Sequence, residues 1–167
     1  LVIEALRGNL DTRLRKLDEG RYDAIILAAA GLNRLGFAER ITSLFEPAQM
    51  LPAIGQGALG LELRRDDQEL LEGISFLNHL ATSIAVTAER SFLLRLEGGC
   101  QVPIGAYGTV AGETVTLAGL IAGLDGKEII KEQDSAPVAE AAQLGTRLAE
   151  KLLARGGRAI LDEVYGA

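Results

Sequence analysis

An α/β unit followed by a small α+β domain is the fold class that this 167-residue sequence predicts. Three observations predict it. Residues 1–28 run from an apolar segment through a helix-patterned stretch to a second apolar segment with short connections, the signature of a strand–helix–strand unit. Residues 104–131 hold three β-prone runs separated by Ala111-Gly112-Glu113 and Leu124-Asp125-Gly126, the pattern of an antiparallel meander. Helical periodicity on both sides of that meander supplies the second layer.

In chain order, Leu1–Leu6 reads as a strand that Arg7-Gly8-Asn9 breaks. Asn9 is placed to cap a helix over Leu10–Leu17, with Leu10, Leu14 and Leu17 on one face, and Gly20 is placed to end it. Asp23–Ala28 reads as a parallel strand buried on both faces. The small residues of Ala28-Ala29-Ala30-Gly31 allow close approach to the backbone, and Leu32–Gly36 is a short helical turn that sets Arg34 at a strand's C-terminal end. A helix over Ala38–Phe45 is expected to stop at Pro47. The glycine-rich run Leu51–Gly60 leads into a strand over Leu59–Leu63, and an amphipathic helix spans Asp67–Leu77.

After the joint at Asn78-His79, Thr82–Leu96 forms a strong helix with Ile84, Val86, Ala88, Phe92, Leu93 and Leu96 on its apolar face. It delivers Cys100. Strands are expected over Ile104–Val110, Thr114–Ala122 and Lys127–Lys131. Pro137 then opens a helix to about Leu153, Gly156-Gly157 ends it, and a last short helix runs through Val164.

Composition narrows the function classes. The chain is 48% hydrophobic, enough for a core in one or two domains. It has no run of eighteen apolar residues and no basic-then-apolar leader pattern, so neither a membrane span nor a secretion signal is read. One cysteine makes no internal disulfide and suits a reducing cytoplasm. The net charge of −6 argues against a nucleic-acid partner. Residues 1–50 carry seven basic and seven acidic side chains, so the whole excess lies further on, and an anion site is sought in the first third. The chain opens without methionine inside a strand-like run, which is read as the C-terminal part of a larger protein or as one half of a cleaved molecule.

The residues that carry chemistry are few. Cys100 lies on a Gly98-Gly99 turn between polar Glu97 and Gln101, which favours a reachable thiol over the buried core cysteine that is the ordinary alternative. Arg7 precedes a helix start and Arg13 lies one turn inside it; they are either a dock for a carboxylate or phosphate, or solvated surface residues. Arg15 and Lys16 read as ordinary exposed positions. Gln56, between Gly55 and Gly57, either offers its amide to a ligand or belongs to a linker. His79, the only histidine, has no companion that would make a metal site or a nucleophile–base pair, and it reads as structural or surface. Covalent carriage of a polyanionic ligand fits this set better than hydrolase or redox chemistry.

The strings Arg7-Gly8-Asn9-Leu10-Asp11-Thr12-Arg13-Leu14, AAAGLNRLGF (residues 28–37), LPAIGQGALGLE (51–62) and LEGGCQVPIG (96–105) stand in the order and spacing of the porphobilinogen deaminase family, which this chain resembles over residues 1–105. The remainder is compatible with that family's C-terminal domain. The resemblance implies a dipyrromethane cofactor joined by a thioether to Cys100, and a transferase that adds four porphobilinogen units stepwise with loss of ammonia before hydroxymethylbilane is released.

It also implies site positions: Arg7, Asn9, Arg13 and Arg34 toward substrate carboxylates, and Arg13, Arg34 and Gln56 toward the cofactor. No residue here matches the family's catalytic aspartate, which belongs to a preceding segment. No metal is implied. The implied architecture is the second half of a periplasmic-binding-protein-like α/β domain over residues 1–51, a crossover strand and helix completing the first domain over 52–78, and a cofactor-carrying α+β domain over 79–167. The expected partners are porphobilinogen and the missing N-terminal segment, possible as a separate chain, in an otherwise monomeric cytoplasmic protein with no membrane or nucleic acid. A non-catalytic anion-binding module is the alternative.

Overall fold

The computed structural model of the chain describes residues 1–97 and 102–166, which fall into two units, Leu1–Phe45 and Glu46–Ala167. In the first, helix α1 (Leu10–Asp18) starts where its cap predicts: the Asn9 side chain accepts from the Thr12 N–H at 2.9 Å. Gly20, at φ 69°, closes it. Its N–H bonds the Leu17 carbonyl at 2.9 Å while the Arg21 N–H bonds that of Lys16 at 3.1 Å, the paired closure of a Schellman end. Helix α2 (Ala29–Arg34) ends the same way through Gly36, at φ 79°, with the Phe37 N–H on the Leu32 carbonyl. Leu14 and Leu32 are the buried apolar side chains of this unit.

Three expected strands do not form. Leu1–Leu6, Asp23–Ala28 and Leu59–Leu63 join no ladder among the described residues. The expected α/β pattern of the first unit is therefore present as its helices alone. The physical reason is pairing: strands buried on both faces need neighbours on each side, and a lone two-stranded ladder is marginal in water. Their apolar side chains show the shortage, with Val2, Ile3 and Leu59 exposed at 89%, 92% and 82%. Arg34 accordingly lies on the last residue of α2 rather than at a strand end.

Two expected helices are also shorter. Only a 3₁₀ turn forms at Ala38–Arg40, because Ile41 is already extended and the β-branched pair Ile41-Thr42 follows. The expected helix over Asp67–Leu77 is α3 (Gln68–Gly73), capped by Asp67, and a separate 3₁₀ turn at Ser75–Leu77; Gly73 interrupts it.

The second unit is a three-stranded antiparallel sheet with helices on one face. Strands β1 (Ile104–Ala111), β2 (Thr114–Ala122) and β3 (Ile129–Pro137) pair in the order β1-β2-β3. Ala111 lies opposite Thr114, and Gly112 takes φ 59° while Glu113 does not, the demand of a two-residue hairpin with glycine first. β3 runs to Pro137, past the expected end at Lys131. Its Glu-Gln-Asp-Ser run reads as loop in isolation, yet it keeps register with β2 to Pro137 opposite Thr114. Glu132 pairs with Lys151 and Arg155, and Asp134 with Arg147, so these charges lie along the following helix rather than ending the strand.

Helix α4 (Leu80–Arg95) and helix α5 (Ala141–Leu152) cover the sheet, and a kink at Gly156, with φ 109°, turns the chain into α6 (Arg158–Gly166). Phe92, Leu96, Val115, Leu117, Ile121, Leu144, Leu148, Leu152 and Leu161 are fully buried between helices and sheet. α4 and α5 meet at Gly145, where a β-carbon would run into the Ala88 carbonyl oxygen. Among the described residues, no helix is long and apolar enough to cross a membrane.

Candidate functional site

Arg7 and Asn9 lie just ahead of α1 and Arg13 in its first turns. The Arg13 Nε–H donates to the Gly8 carbonyl at 2.8 Å, and Lys16 Nζ donates to the Arg7 carbonyl at 3.0 Å, so the loop ahead of the helix is held from two positions of its first turns. Lys16, read as an ordinary surface residue, thus has a structural task. The Asn9 carboxamide oxygen is engaged as the helix cap. Arg34 stands apart in sequence on the last turn of α2, where a cation also suits the helix dipole.

Ion pairing sorts the arginines of this unit into two classes. Arg15 and Arg21 both reach Glu19 at 2.9 Å, and Arg40 reaches Asp18 at 2.5 Å. Arg7, Arg13 and Arg34 have no carboxylate within ion-pair distance among the described residues. Guanidiniums that the chain's own acids leave unmatched are the ones able to take an external carboxylate bidentately.

In the second unit, Gln56 is exposed on a tight turn between Gly55, at φ 70°, and Gly57, at φ 83°. That turn is tied down by a residue that the sequence reading missed. Glu89, on α4 and only 6% exposed, accepts from the Gly55 N–H at 2.7 Å through one oxygen and from the Gly108 N–H at 2.8 Å through the other. The Ala106 N–H reaches the Pro52 carbonyl at 3.1 Å beside it. A signal existed: Ala85, Ala88, Glu89 and Phe92 share one buried helix stripe, and a carboxylate on such a stripe requires donors.

His79 caps α4, its Nδ1 accepting from the Thr82 N–H at 3.3 Å, as a structural histidine would. Cys100, with Gly98, Gly99 and Gln101, lies outside the described residues. The chain enters that segment through Glu97, whose φ of 57° is left-handed and whose carbonyl accepts from the Tyr165 hydroxyl at 2.6 Å. A groove of about 350 Å³ on the open sheet face, lined by residues such as Leu51, Tyr107, Thr116, Lys131 and Gln133, holds none of the candidate residues.

Comparison with known proteins bears on this arrangement. Residues 1–72 match the family model of the porphobilinogen deaminase dipyrromethane cofactor binding domain, and residues 83–154 match that of the porphobilinogen deaminase C-terminal domain. The chain belongs to the porphobilinogen deaminase family. A porphobilinogen deaminase of Trichlorobacter lovleyi is 58% identical over 160 residues, 96% of this chain and 51% of the relative. Those of Pelobacter propionicus and Geobacter sulfurreducens are 53% and 58% identical, over 99% and 96% of this chain and 53% and 50% of their own lengths. The chain therefore spans about half the length of the curated relatives it matches. Arg7, Asn9, Arg13, Arg34 and Gln56 all fall in the part matched by the family's cofactor-binding model, and Cys100 in the part matched by its C-terminal model.

Proposed function

We propose that this chain is the C-terminal part of a hydroxymethylbilane synthase. The complete cytoplasmic enzyme joins four porphobilinogen molecules in turn, with loss of ammonia at each addition, and releases hydroxymethylbilane for tetrapyrrole and haem biosynthesis. Cys100 carries the dipyrromethane by a thioether, and that primer supplies the pyrrole end from which the product grows. The observation that supports the reading most is the sorting of the arginines. Each pyrrole bears an acetate and a propionate, and Arg7, Arg13 and Arg34 are left unmatched by the unit's own acids while Arg15, Arg21 and Arg40 are not.

In this reading Arg7, Arg13 and Arg34 hold substrate carboxylates, with Asn9 lining the same site at the start of the helix it caps. Arg13, Arg34 and Gln56 face the primer. The catalytic aspartate comes from the half of the enzyme that the relatives carry and this chain does not match, supplied in one polypeptide or as a separate chain. With that half, residues 1–51 complete a periplasmic-binding-protein-like α/β domain, residues 52–78 complete the first domain, and residues 79–167 form the cofactor-carrying domain. The exposed apolar side chains of Leu1, Val2, Ile3, Leu59 and Leu61 support this, since their segments are patterned for sheets whose other strands lie elsewhere.

Mass spectrometry of the full-length enzyme tests the proposal. The Cys100 peptide is expected to be heavier by two pyrrole units, and Cys100→Ser is expected to abolish ammonia release from porphobilinogen. An active enzyme with unmodified Cys100 would overturn it. An anion-binding module would bind porphobilinogen and release no ammonia.

A further inference from the structure

We infer that Tyr165 is a positioning residue for the loop that carries Cys100; the inference rests on the role proposed for that cysteine. It begins with how α4 ends. The Leu96 N–H bonds the Phe92 carbonyl and the Glu97 N–H that of Leu94, both at 3.1 Å, so the helix closes at Leu96 and the next residue must turn. Glu97 turns by taking φ 57°, and among the described residues it is the one non-glycine in that region. Helices commonly close on such a residue, but glycine is the usual occupant because a β-carbon there is strained. Two glycines follow immediately, and the left-handed position nevertheless falls on glutamate. Something must hold it there.

The Tyr165 hydroxyl does so. It donates to the Glu97 carbonyl at 2.6 Å, across 68 residues of sequence. The helix that carries the phenol, α6, seats Ile160 and Leu161 in the core beyond the kink at Gly156. On the other side Leu96 is fully buried. Residue 97 is thereby clamped between a buried neighbour and a long-range hydrogen bond, and only Gly98 and Gly99 separate it from Cys100. A left-handed residue sets the direction in which the chain leaves a helix, so a bond to its carbonyl fixes the point from which the cysteine loop starts. Tyr165 touches no reacting atom in this scheme. It acts through the backbone of Glu97.

The test compares wild type, Tyr165→Phe, Glu97→Gly and the double variant in the full-length, cofactor-loaded enzyme. Intact mass is recorded first. A wild-type Cys100 without its adduct would overturn the role proposed for that cysteine and this inference with it. With the adduct present, Tyr165→Phe is expected to lower kcat for ammonia release about fivefold, the effect of one hydrogen bond, with KM within about twofold of wild type. In the Glu97→Gly background the same tyrosine change is expected to cost less than about twofold, because glycine holds the left-handed turn unaided. An unchanged kcat in Tyr165→Phe, a loss carried by KM, or an equal loss in both backgrounds would overturn the inference and leave the role of Cys100 standing.

Discussion

Glu89 is the place where a single side chain holds three segments together, and its removal has a calculable cost. Each carboxylate oxygen accepts one backbone N–H, from Gly55 at 2.7 Å and from Gly108 at 2.8 Å, in a site only 6% exposed. Hydrogen bonds to an ionised acceptor contribute about 1.5–3 kcal/mol each, and a buried donor left without an acceptor costs about 1–3 kcal/mol. Glu89→Ala strips both donors at once and opens space under them, so a loss of about 3–5 kcal/mol is expected. Glu89→Gln is the sharper probe: its amide oxygen can keep one N–H, but its amino group faces the other as a second donor, for a loss of about 1–3 kcal/mol. Urea unfolding of the full-length enzyme gives the global value. Hydrogen exchange read over residues 52–58 and 105–110 gives the local one, where protection should fall about ten- to a hundredfold while residues 141–152 of α5 change least. If Glu89→Gln unfolds within 0.5 kcal/mol, about the scatter of an ordinary surface change, and both segments keep their protection, the clamp does not exist.

Gly145→Ala should destabilise by about 1–3 kcal/mol or more in urea unfolding, since its β-carbon would meet the Ala88 carbonyl and push α4 from α5. Asn9→Ala should cost about 1 kcal/mol of helix stability, seen as faster amide exchange over the first turn of α1, where the Thr12 N–H loses its acceptor. The Arg147 guanidinium hydrogen-bonded to Asp134 holds that carboxyl below its ordinary range. Its folded pKa is thus lower than its unfolded one, so the stabilisation is present above about pH 4 and fades as the pH falls through the folded value; the stability gap between wild type and Asp134→Asn should narrow on acidification below about pH 4. Arg34→Gln should lower kcat/KM for porphobilinogen about tenfold in the full-length enzyme with an unchanged melting curve, because Arg34 is exposed and makes no ion pair among the described residues.

Local signals in the sequence survive folding, and those that need a distant partner do not. Asn9 and Gly20 bound α1 because their effects act within one turn, through a side-chain acceptor and a left-handed closure. Gly112 and Gly126 mark their turns for the same reason, with φ of 59° and 68°. Arg7 and Arg13 were legible as residue types near a helix start and Gln56 as one on a glycine turn, whereas Arg34 was expected at the end of a strand that does not form. Glu89 was not, because its meaning comes from Gly55 and Gly108, which lie 34 and 19 residues away in the chain. Tyr165 was invisible likewise: its target is a backbone carbonyl, which no side-chain pattern records.

The strand expectations fail on the same principle, and the failure is informative about which part of the chain carries its own stability. β3 looks too polar to be a strand beyond Lys131, yet it forms to Pro137 because β2 supplies a full ladder and the following helix supplies Arg147, Lys151 and Arg155 for its acids. Leu1–Leu6 and Asp23–Ala28 look like better strands, yet they stay outside any ladder, since hydrophobic pattern alone offers no hydrogen-bond partner. Fully buried large side chains such as Phe92, Leu117 and Leu148 lie in the second unit, whereas the first buries only Leu14 and Leu32 to a comparable degree. The unit that leads into Cys100 is thus built around a core of its own. The unit that presents Arg7, Arg13 and Arg34 is held mainly by caps and ion pairs, whose individual worth is about 1 kcal/mol, so substitutions of a size that the second unit tolerates should loosen the arginine-bearing one.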